Sequence, residues 1–354
     1  MLTTYNFSMR GRSHIKSGKP CQDHSDIVEI TPAWKAVIVA DGVGSCEYAE
    51  VASEIAVKAA SEILKKSFPG ARGTDRDFQS LMLIAGHTAA NAVEGYVREN
   101  DPENAAQYHT TLAMALCSST KAYYLNVGDS AIVGLDENGR WHSVTKPDND
   151  ENGGVYTLAW RDHYHVGKVK FNPVCILAMT DGVYAKCFPY WQKGEEYEMN
   201  VPLLNFFSTY AFGVEDENAQ NDSELQKRNI QKYFESNACS DMTDDLSIAA
   251  VINTKTCLEE EDIPFKEPDW FSLYWKALQC RPYSDEIKKK QFMDYIKENH
   301  TDFSPEQAAL FAEKYINLAG YTDTLNESNE SEHTEESRTE PSNLNEKEPK
   351  DVLS

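Results

Sequence analysis

The sequence lacks any run of about eighteen uncharged apolar residues, and its first residues, MLTTYNFSMRGRS, contain no apolar segment. We therefore expect neither a membrane-spanning helix nor a targeting segment. The eight cysteines form no C-x-x-C pair, and several lie in apolar runs such as NPVCILAM. This usage is typical of reduced, buried thiols in a cytoplasmic protein and not of disulfides or zinc ligands.

Positive charge is scarce in this sequence. The chain has 57 Asp and Glu but only 34 Lys and Arg, which gives a formal net charge of -23 at pH 7. Such a surface repels the phosphates of nucleic acid and anionic lipid, so we expect neither nucleic acid nor a membrane as a partner. Cations and basic protein segments suit it better. A chain of 354 residues, 41% of them hydrophobic, is long enough for one large domain with an appendage.

Residues 1–253 are predicted to form one α+β domain. Apolar residues recur at helical spacing over 47–67 and 77–100. Strand-like runs lie on both sides of this helical pair, which favours sheets covered by helices over a strictly alternating βαβ order. Val, Ile, Tyr and Ala dominate these runs, and turn residues bound them. The runs are 35–40, 111–118, 121–127, 130–136, 174–180 and 246–252.

The character of the sequence changes after residue 253. Residues 254–268 are acidic and contain proline, which predicts a linker, and the region 269–320 is predicted to be a helical extension. Residues 322–354 contain ten Asp or Glu, three Lys or Arg and no aromatic residue, so we expect 321–354 to be a disordered acidic tail. The extension has helix-like segments near 269–280, 284–299 and 304–319, the last with Ser304 as N-cap and Pro305 at its first position.

Aspartate recurs where the apolar runs begin or end. VIVADG presents Asp41, YYLNVGDS presents Asp129, ILAMTDG presents Asp181, and MTDDLSIAAVI presents Asp244 and Asp245. If the strands next to Asp181 and Asp244 are antiparallel, both carboxylates reach the same edge of a sheet. Two carboxylates about 4 Å apart repel by roughly 4 kcal/mol at an effective dielectric of about 20. The pattern therefore predicts a bound divalent cation, and ligands that are all oxygen favour Mg²⁺ or Mn²⁺ over zinc.

Taken in order, these motifs resemble those of the metal-dependent Ser/Thr protein phosphatases of type 2C, the PPM family. The likeness lies in VIVADGVGSCEYAEVAS, in TTLAMAL followed by YYLNVGDS, in LAMTDGVY and in MTDDLSIAAV, and SHIKSGKPCQD looks like the family's first acidic motif. It spans about residues 8 to 252. The resemblance implies a four-layer α-β-β-α sandwich of two antiparallel sheets flanked by helices, to which this chain adds its C-terminal helical extension. It also implies hydrolysis of phosphoserine or phosphothreonine in proteins, with a cognate Ser/Thr kinase as a partner.

The resemblance implies roles for individual residues. Asp41 would bridge two ions of Mg²⁺ or Mn²⁺, and the carbonyl of Gly42 would bind one of them. Asp181 and Asp244 would bind the first ion. The candidate catalytic residues are therefore Asp41, Asp181 and Asp244.

Three further roles follow from the same resemblance. Asp23 would hold water on a metal ion, and Asp129 together with Asp181 would hold a third, weaker ion. Arg12 is the first choice for the residue that binds phosphate. Two other cations of the same segment stand behind it, Lys16 and Lys19.

The chain departs from the family pattern at several positions. Gln22 stands where many relatives have Glu, and Val43 stands where animal members place a His thought to protonate the leaving group. No general acid is therefore visible. Ala131 replaces the Arg of a G-D-S-R motif. The long insert between Asp181 and the last motif includes aromatic residues over 189–207, which we expect to contact substrate.

Two other functions compete with this reading. The segment from residue 37 onward looks superficially like a nucleotide-binding strand, glycine turn and helix, but Glu47 occupies the place of the third glycine. Asp41 would also direct a negative charge at a pyrophosphate. The second competitor is a catalytically weak or inactive relative that acts as a scaffold or binding module, which the departures at Gln22, Val43 and Ala131 favour. Retention of every metal-binding aspartate favours the enzyme.

Overall fold

The computed structural model describes six continuous segments of the chain and a few short pieces. The chain divides into two units, Met1–Pro268 and Asp269–Ser354. The predicted acidic tail, 321–354, and most of the predicted linker, 254–268, lie outside the described residues. The continuous segments are 1–150, 153–188, 199–212, 223–236, 242–256 and 283–299, and the short pieces are 239, 258, 274–275, 278, 304–306 and 309.

The strands of the first unit form two antiparallel sheets. The strands are β1 (Leu2–Met9), β2 (His24–Thr31), β3 (Trp34–Ala40), β4 (Leu112–Cys117), β5 (Ala122–Val127), β6 (Ala131–Asp136), β7 (Trp141–Ser143), β8 (His165–Lys168), β9 (Pro173–Met179) and β10 (Leu246–Asn253). Each apolar run that the sequence predicts to be a strand is a strand in the structure. The first sheet has the order β1-β10-β9-β6-β7 and the second has the order β2-β3-β4-β5-β8.

Helices cover both sheets. The two long helical patterns of the sequence are confirmed as α2 (Ala49–Lys66) and α3 (Asp75–Asn100), and α3 begins with a capping box between Thr74 and Asp77. None of the described helices is long and apolar enough to cross a membrane. The helices are α1 (Arg12–Ser17), α2 (Ala49–Lys66), α3 (Asp75–Asn100), α4 (Asp181–Cys187), α5 (Val201–Phe207), α6 (Ser223–Glu235) and α7 (Asp285–Asn299). Short 3-10 segments lie at Pro102–Gln107, Arg161–His163 and Thr209–Ala211.

Three apolar layers separate these elements and explain why the strands read as continuous hydrophobic runs. In β3, Val37 and Val39 pack between the two sheets, whereas Ala36 and Ile38 pack against α2 and α3. On the other side, Leu177 of β9 belongs to the cluster that includes residues of α5 and α6. A strand that is covered on both faces needs apolar residues at every position. The predicted four-layer α-β-β-α sandwich is therefore confirmed.

The insert between β9 and β10 contains α4, α5 and α6. Phe207 of α5 is fully buried in the core, and its carbonyl accepts a hydrogen bond of 2.6 Å from the Tyr5 hydroxyl. The expectation that the aromatic residues of 189–207 contact substrate is wrong for Phe207, because packing beneath the helices uses its ring. Residues 189–198 lie outside the described part of the chain.

In the second unit, α7 matches the helical segment predicted near 284–299. Its Phe292 and Ile296 are fully buried, and Phe292 contacts Trp275 with ring centroids 5.3 Å apart. Tyr274 stacks on Tyr295 at 4.1 Å. These aromatic residues serve packing. Most of the other two predicted segments, 269–280 and 304–319, lies outside the described residues, although 305–306 are helical.

Six cysteines lie in the described part of the chain, and all six are free thiols. All except Cys21, which is partly exposed, are buried. This agrees with the prediction of reduced cysteines that act as small apolar residues. The six are Cys21, Cys46, Cys117, Cys175, Cys187 and Cys239.

Candidate metal centre and active site

Four aspartates lie at one end of the two sheets. Asp41 directly follows β3, Asp129 lies in the turn between β5 and β6, Asp181 opens α4 after β9, and Asp244 stands just before β10. Because β9 and β10 are antiparallel neighbours, the end of one and the start of the other share an edge. The strand order thus brings together residues that are far apart in the sequence.

Asp23 joins this group from the start of β2. Its neighbour His24 pairs with Ala40, the last residue of β3, so Asp23 lies beside Asp41. The Asp23 side chain is buried, and its Oδ2 accepts a hydrogen bond of 2.7 Å from the Thr180 hydroxyl. Since Thr180 follows a strand of the first sheet and Asp23 precedes one of the second, this bond connects the two sheets.

The carboxylates are close enough to affect one another's protonation. Burial raises the pKa of Asp41 well above its ordinary value, and the charges of Asp23, Asp181 and Asp129 raise it further. The carboxyl groups of Asp41 and Asp181 are within hydrogen-bonding reach of each other. Burial also raises the pKa of Asp23, to which the charges of neighbouring aspartates add. Such mutual shifts are expected when several carboxyl groups share one low-dielectric site.

Asp129 and Asp181 show the same effect. Burial raises the pKa of Asp129 to about 7, with further contributions from the charges of Asp181 and Asp244. Burial raises the pKa of Asp181 as well, and the charge of Asp244 adds to it. Oδ1 of Asp181 is buried and finds no hydrogen-bond partner among the described residues. A buried carboxylate oxygen without a donor is well placed to bind a cation.

The two adjacent aspartates before β10 have different environments. Asp244 is exposed at the edge of the cluster, and its Oδ1 accepts a hydrogen bond from the backbone N–H of Asp245. Asp245 is buried and points away to the N-terminal segment. Its Oδ1 accepts from the N–H of Gly11 at 2.6 Å, and its Oδ2 contacts the N–H of Gln22 at 2.5 Å and His14 Nδ1 at 2.8 Å. Asp245 thus holds the segment that leads to Asp23.

The sequence pattern alone does not indicate this role of Asp245. The doubled aspartate of MTDDLSIAAVI was the visible signal, but the three partners of Asp245 come from the other end of the chain. Gly11 packs directly on the peptide bond between Asp244 and Asp245. A Cβ atom built on Gly11 would lie 2.2 Å from the carbonyl carbon of Asp244. Only glycine fits there without a shift of the backbone.

The backbone around Asp41 is held by the residues before β4. Thr111 accepts a hydrogen bond of 3.0 Å from the N–H of Asp41, and its own N–H donates to the Asp41 carbonyl at 2.8 Å. The Thr110 hydroxyl donates to the same carbonyl at 2.9 Å. A Cβ on Gly42 would lie 2.7 Å from the carbonyl oxygen of Gln22, so the chain passes too close for a side chain. The carbonyl oxygen of Gly42 accepts no hydrogen bond from the described residues.

The three positions that depart from the family pattern are all ordered. Gln22 is buried, its Nε2 donates to the Cys46 carbonyl at 3.1 Å, and its Oε1 has no partner within the described part of the chain. A glutamate at position 22 would have no N–H group to donate to the Cys46 carbonyl. The N–H of Val43 donates to the His109 carbonyl at 3.0 Å. Ala131 is fully buried in β6.

The candidate phosphate-binding residues lie in or next to α1. Arg12 is exposed, and its guanidinium donates a long hydrogen bond of 3.4 Å to the Ser236 carbonyl. Lys16 is also exposed in α1. The Lys19 ammonium donates at 3.0 Å to the carbonyl of Gly44, which belongs to the loop after Asp41. The role of Arg12 stays a prediction.

The donor chemistry of the cluster fits a hard divalent cation. In the described part of the chain, no three side chains of His, Cys, Asp or Glu already surround a position suited to an ion. The carboxyl groups of Asp41 and Asp181 lie instead within hydrogen-bonding reach of each other. The free Oδ1 of Asp181 and the unbonded carbonyl of Gly42 are oxygen donors of the kind that Mg²⁺ and Mn²⁺ prefer.

The family model described as protein phosphatase 2C matches residues 10–228, which is more than half of the chain. The matched region includes Asp23, Asp41, Asp129 and Asp181 and ends before Asp244. No curated protein sequence matches the chain.

Several solved structures are similar in fold. A serine/threonine phosphatase from Staphylococcus aureus is 13% identical with a TM-score of 0.48, over 71% of this chain and 95% of that one. A serine/threonine phosphatase of S. agalactiae is 13% identical with a TM-score of 0.48, over 71% of this chain and 99% of that one. RsbX in complex with magnesium is 13% identical with a TM-score of 0.40, over 71% and 94%.

Proposed function

The chain belongs to the protein phosphatase 2C family, and we propose that it hydrolyses phosphoserine and phosphothreonine in proteins with the help of divalent cations. The observation that carries the proposal is the cluster of Asp41, Asp181, Asp129 and Asp23, whose charges raise one another's pKa. Ionised carboxylates this crowded are tolerable only beside a compensating positive charge. Two Mg²⁺ or Mn²⁺ ions, with a third bound more weakly, would provide it.

The aspartates divide the work of holding these ions. Asp41 would bridge both, the Gly42 carbonyl would contribute to one of them, and Asp181 and Asp244 would complete the first. Asp129 with Asp181 would hold the third. When bound, the ions supply Lewis acidity to the phosphoryl oxygens and to the attacking water.

The chain itself contributes position and exclusion. Thr110 and Thr111 fix the backbone of Asp41 through three hydrogen bonds. Asp23, fixed by Thr180, would orient water at the site. Burial and the charges of Asp245 and Asp23 raise the pKa of the nearby Cys21 thiol to about 12, which disfavours its nucleophilic thiolate form.

Substrate recognition is assigned to the N-terminal segment. Arg12, exposed in α1, would bind the phosphate group of the substrate, since a guanidinium matches phosphate geometry. Lys19 is the next candidate because it contacts the loop after Asp41. The substrate is a phosphorylated protein, with a cognate Ser/Thr kinase as partner. Free cysteines suit the reducing cytoplasm as the place of action.

A second candidate function is a phosphatase-like scaffold with weak or no activity. Two observations favour it. Gln22 brings an amide and not a carboxylate to the site, and Val43 offers no proton to a leaving group. In this case the aspartate cluster would still bind cations but turnover would be lost.

Hydrolysis of p-nitrophenyl phosphate in the presence of Mn²⁺ separates the two functions. If the protein is an enzyme, we expect turnover that depends on Mn²⁺ and that is lost in Asp41→Asn. This substitution preserves the shape of the side chain and removes its negative charge. Asp162→Asn, at an exposed aspartate of the segment Arg161–His163, is the matched control and should retain activity. If the wild-type protein binds Mn²⁺ but turns over no faster than Asp41→Asn, the scaffold reading replaces the enzyme.

A further inference from the structure

A cavity of about 370 Å³ is lined in part by Thr110, whose hydroxyl bonds the Asp41 carbonyl, and the proposed chemistry does not use the space of this cavity. It is bounded by the C-terminal half of α3, by the 3-10 segment Pro102–Gln107 and by residues 157–159. Its apolar walls come from Ala90, Val93, Val97, Pro102, Ala105 and Leu158. This size and this lining are typical of pockets that bind small organic molecules.

Among the polar groups at the cavity, Arg98 carries a positive charge that forms no ion pair with the described residues. Glu94 accepts a hydrogen bond of 2.7 Å from the Arg161 guanidinium, so its charge is compensated. His109 Nδ1 and the Thr157 hydroxyl form a hydrogen bond of 3.2 Å with each other. Arg98 lines the same cavity, and no ion pair to it is found among the described residues. In a chain with a net charge of -23, an uncompensated arginine at an apolar pocket selects for an anionic group.

The wall of this cavity also supports the loop that carries Asp41. The N–H of Tyr48 donates to the Gln107 carbonyl at 3.1 Å, and the N–H of Glu47 donates to Gln107 Oε1 at 3.0 Å. His109, which lines the cavity, accepts from the N–H of Val43 at 3.0 Å. One segment, 105–110, therefore contacts both the cavity and the loop that follows Asp41.

We propose that this cavity is a binding site for a small organic anion with an apolar body, such as an alkyl or aryl carboxylate. The apolar body fills the space between α3 and the segment 102–107, and the anionic group pairs with Arg98. A bound molecule rests on the segment that holds the loop from Asp41 to Tyr48. The site is distinct from the one assigned to phosphate.

Fluorescence titration with anilinonaphthalene sulfonate tests the site, because this probe has apolar rings and one negative charge and brightens in apolar surroundings. We expect saturable binding that Arg98→Gln weakens about fivefold, the upper range for an ion pair with an exposed arginine. Ala105→Phe should weaken it more than tenfold, as its ring occupies the cavity. Octanoate should displace the probe, whereas acetate and inorganic phosphate, which lack an apolar body, should not.

Two matched variants control for general effects on the protein. Arg72→Gln removes an exposed arginine just before the N-terminus of α3, at the end of the helix far from Arg98. Ala106→Phe adds a phenyl ring next to Ala105, at a residue that does not line the cavity. Both should bind the probe as the wild type does. Thermal unfolding checks that each variant is folded. Equal affinity in wild type, Arg98→Gln and Ala105→Phe, or displacement by acetate as readily as by octanoate, overturns the proposal. The measurement needs no turnover, so its outcome is independent of the phosphatase proposal.

Discussion

The hydroxyl of Thr180 donates a hydrogen bond of 2.7 Å to Oδ2 of Asp23, and this bond connects the end of the first sheet to the start of the second. Both residues are buried. Thr180 also accepts a hydrogen bond of 2.9 Å from the N–H of Ser247, so a single hydroxyl joins three strand ends. This contact holds the Asp23 carboxyl group at the carboxylate cluster, beside Asp41.

Replacing Thr180 with valine should destabilise the fold. Valine has nearly the same shape, but it leaves the Ser247 N–H and the Asp23 carboxylate without their partner in the interior. We expect the free energy of unfolding in urea to fall by about 1–3 kcal/mol. Thr180→Ser keeps the hydroxyl and should recover most of this loss. Equal stability of Thr180→Val and wild type would show that the bond does not matter.

The loop after Asp41 offers a matched pair of glycines. A Cβ on Gly42 would lie 2.7 Å from the Gln22 carbonyl oxygen and 2.8 Å from that of Ala49, whereas a Cβ on Gly44 meets nothing within 4 Å. Gly42→Ala should therefore lower the free energy of unfolding by about 1–3 kcal/mol, and Gly44→Ala should change it by less than about 0.5 kcal/mol. Chemical denaturation of both variants measures this. Similar values for the two would contradict the close approach at Gly42.

Substitutions of the adjacent residues Asp244 and Asp245 should affect different properties, metal binding for Asp244 and folding stability for Asp245. Asp245→Asn replaces a buried acceptor of three hydrogen bonds with a group that carries two donors, so the free energy of unfolding should fall by about 1.5–3 kcal/mol. Asp244→Asn should leave the metal-free stability within about 0.5 kcal/mol, because Asp244 is exposed. Asp244→Asn should instead reduce the rise in melting temperature that Mn²⁺ causes. If the two variants exchange these phenotypes, the assignment of Asp244 as a ligand is wrong.

The raised pKa of Asp129 predicts how the stability of the metal-free protein depends on pH. Its pKa is about 7 in the folded protein against an ordinary value of 3.8, so the folded state holds this proton more tightly than the unfolded state. The corresponding stability is fully present below about pH 4 and is lost as the pH rises through about 7. Urea unfolding in chelator, with Asp129→Asn as reference, should show the wild type losing stability relative to the variant over this range. A wild type that gains relative stability as the pH rises would reverse the sign.

Much of the sheet architecture was predictable because most strands are buried on both faces. In β3, Val37 and Val39 face the other sheet, whereas Ile38 faces α2 and α3. Because both faces of the strand are covered, each of these positions is apolar. β1 was harder to find, because its Thr3 and Thr4 interrupt the apolar run. Short edge strands such as β7 and β8 carry too few residues for a pattern.

The site was predictable only in its aspartates. Asp41 and Asp181 each follow an apolar run, and the antiparallel order of the strands gathers such ends. The supporting contacts were not predictable, because each joins segments with no local pattern. Asp245 meets Gly11 and His14, and these pairs are defined only after the strands have been placed.

Calorimetric titration of Mn²⁺ tests the central claim, that the converging aspartates form a divalent-cation site. The account predicts saturable uptake by the wild type, with a stoichiometry of about two ions per chain, and at least a tenfold weaker uptake by Asp41→Asn. The matched variant Asp162→Asn should bind as the wild type does. No heat of binding with the wild type, or equal uptake by wild type and Asp41→Asn, would contradict the account.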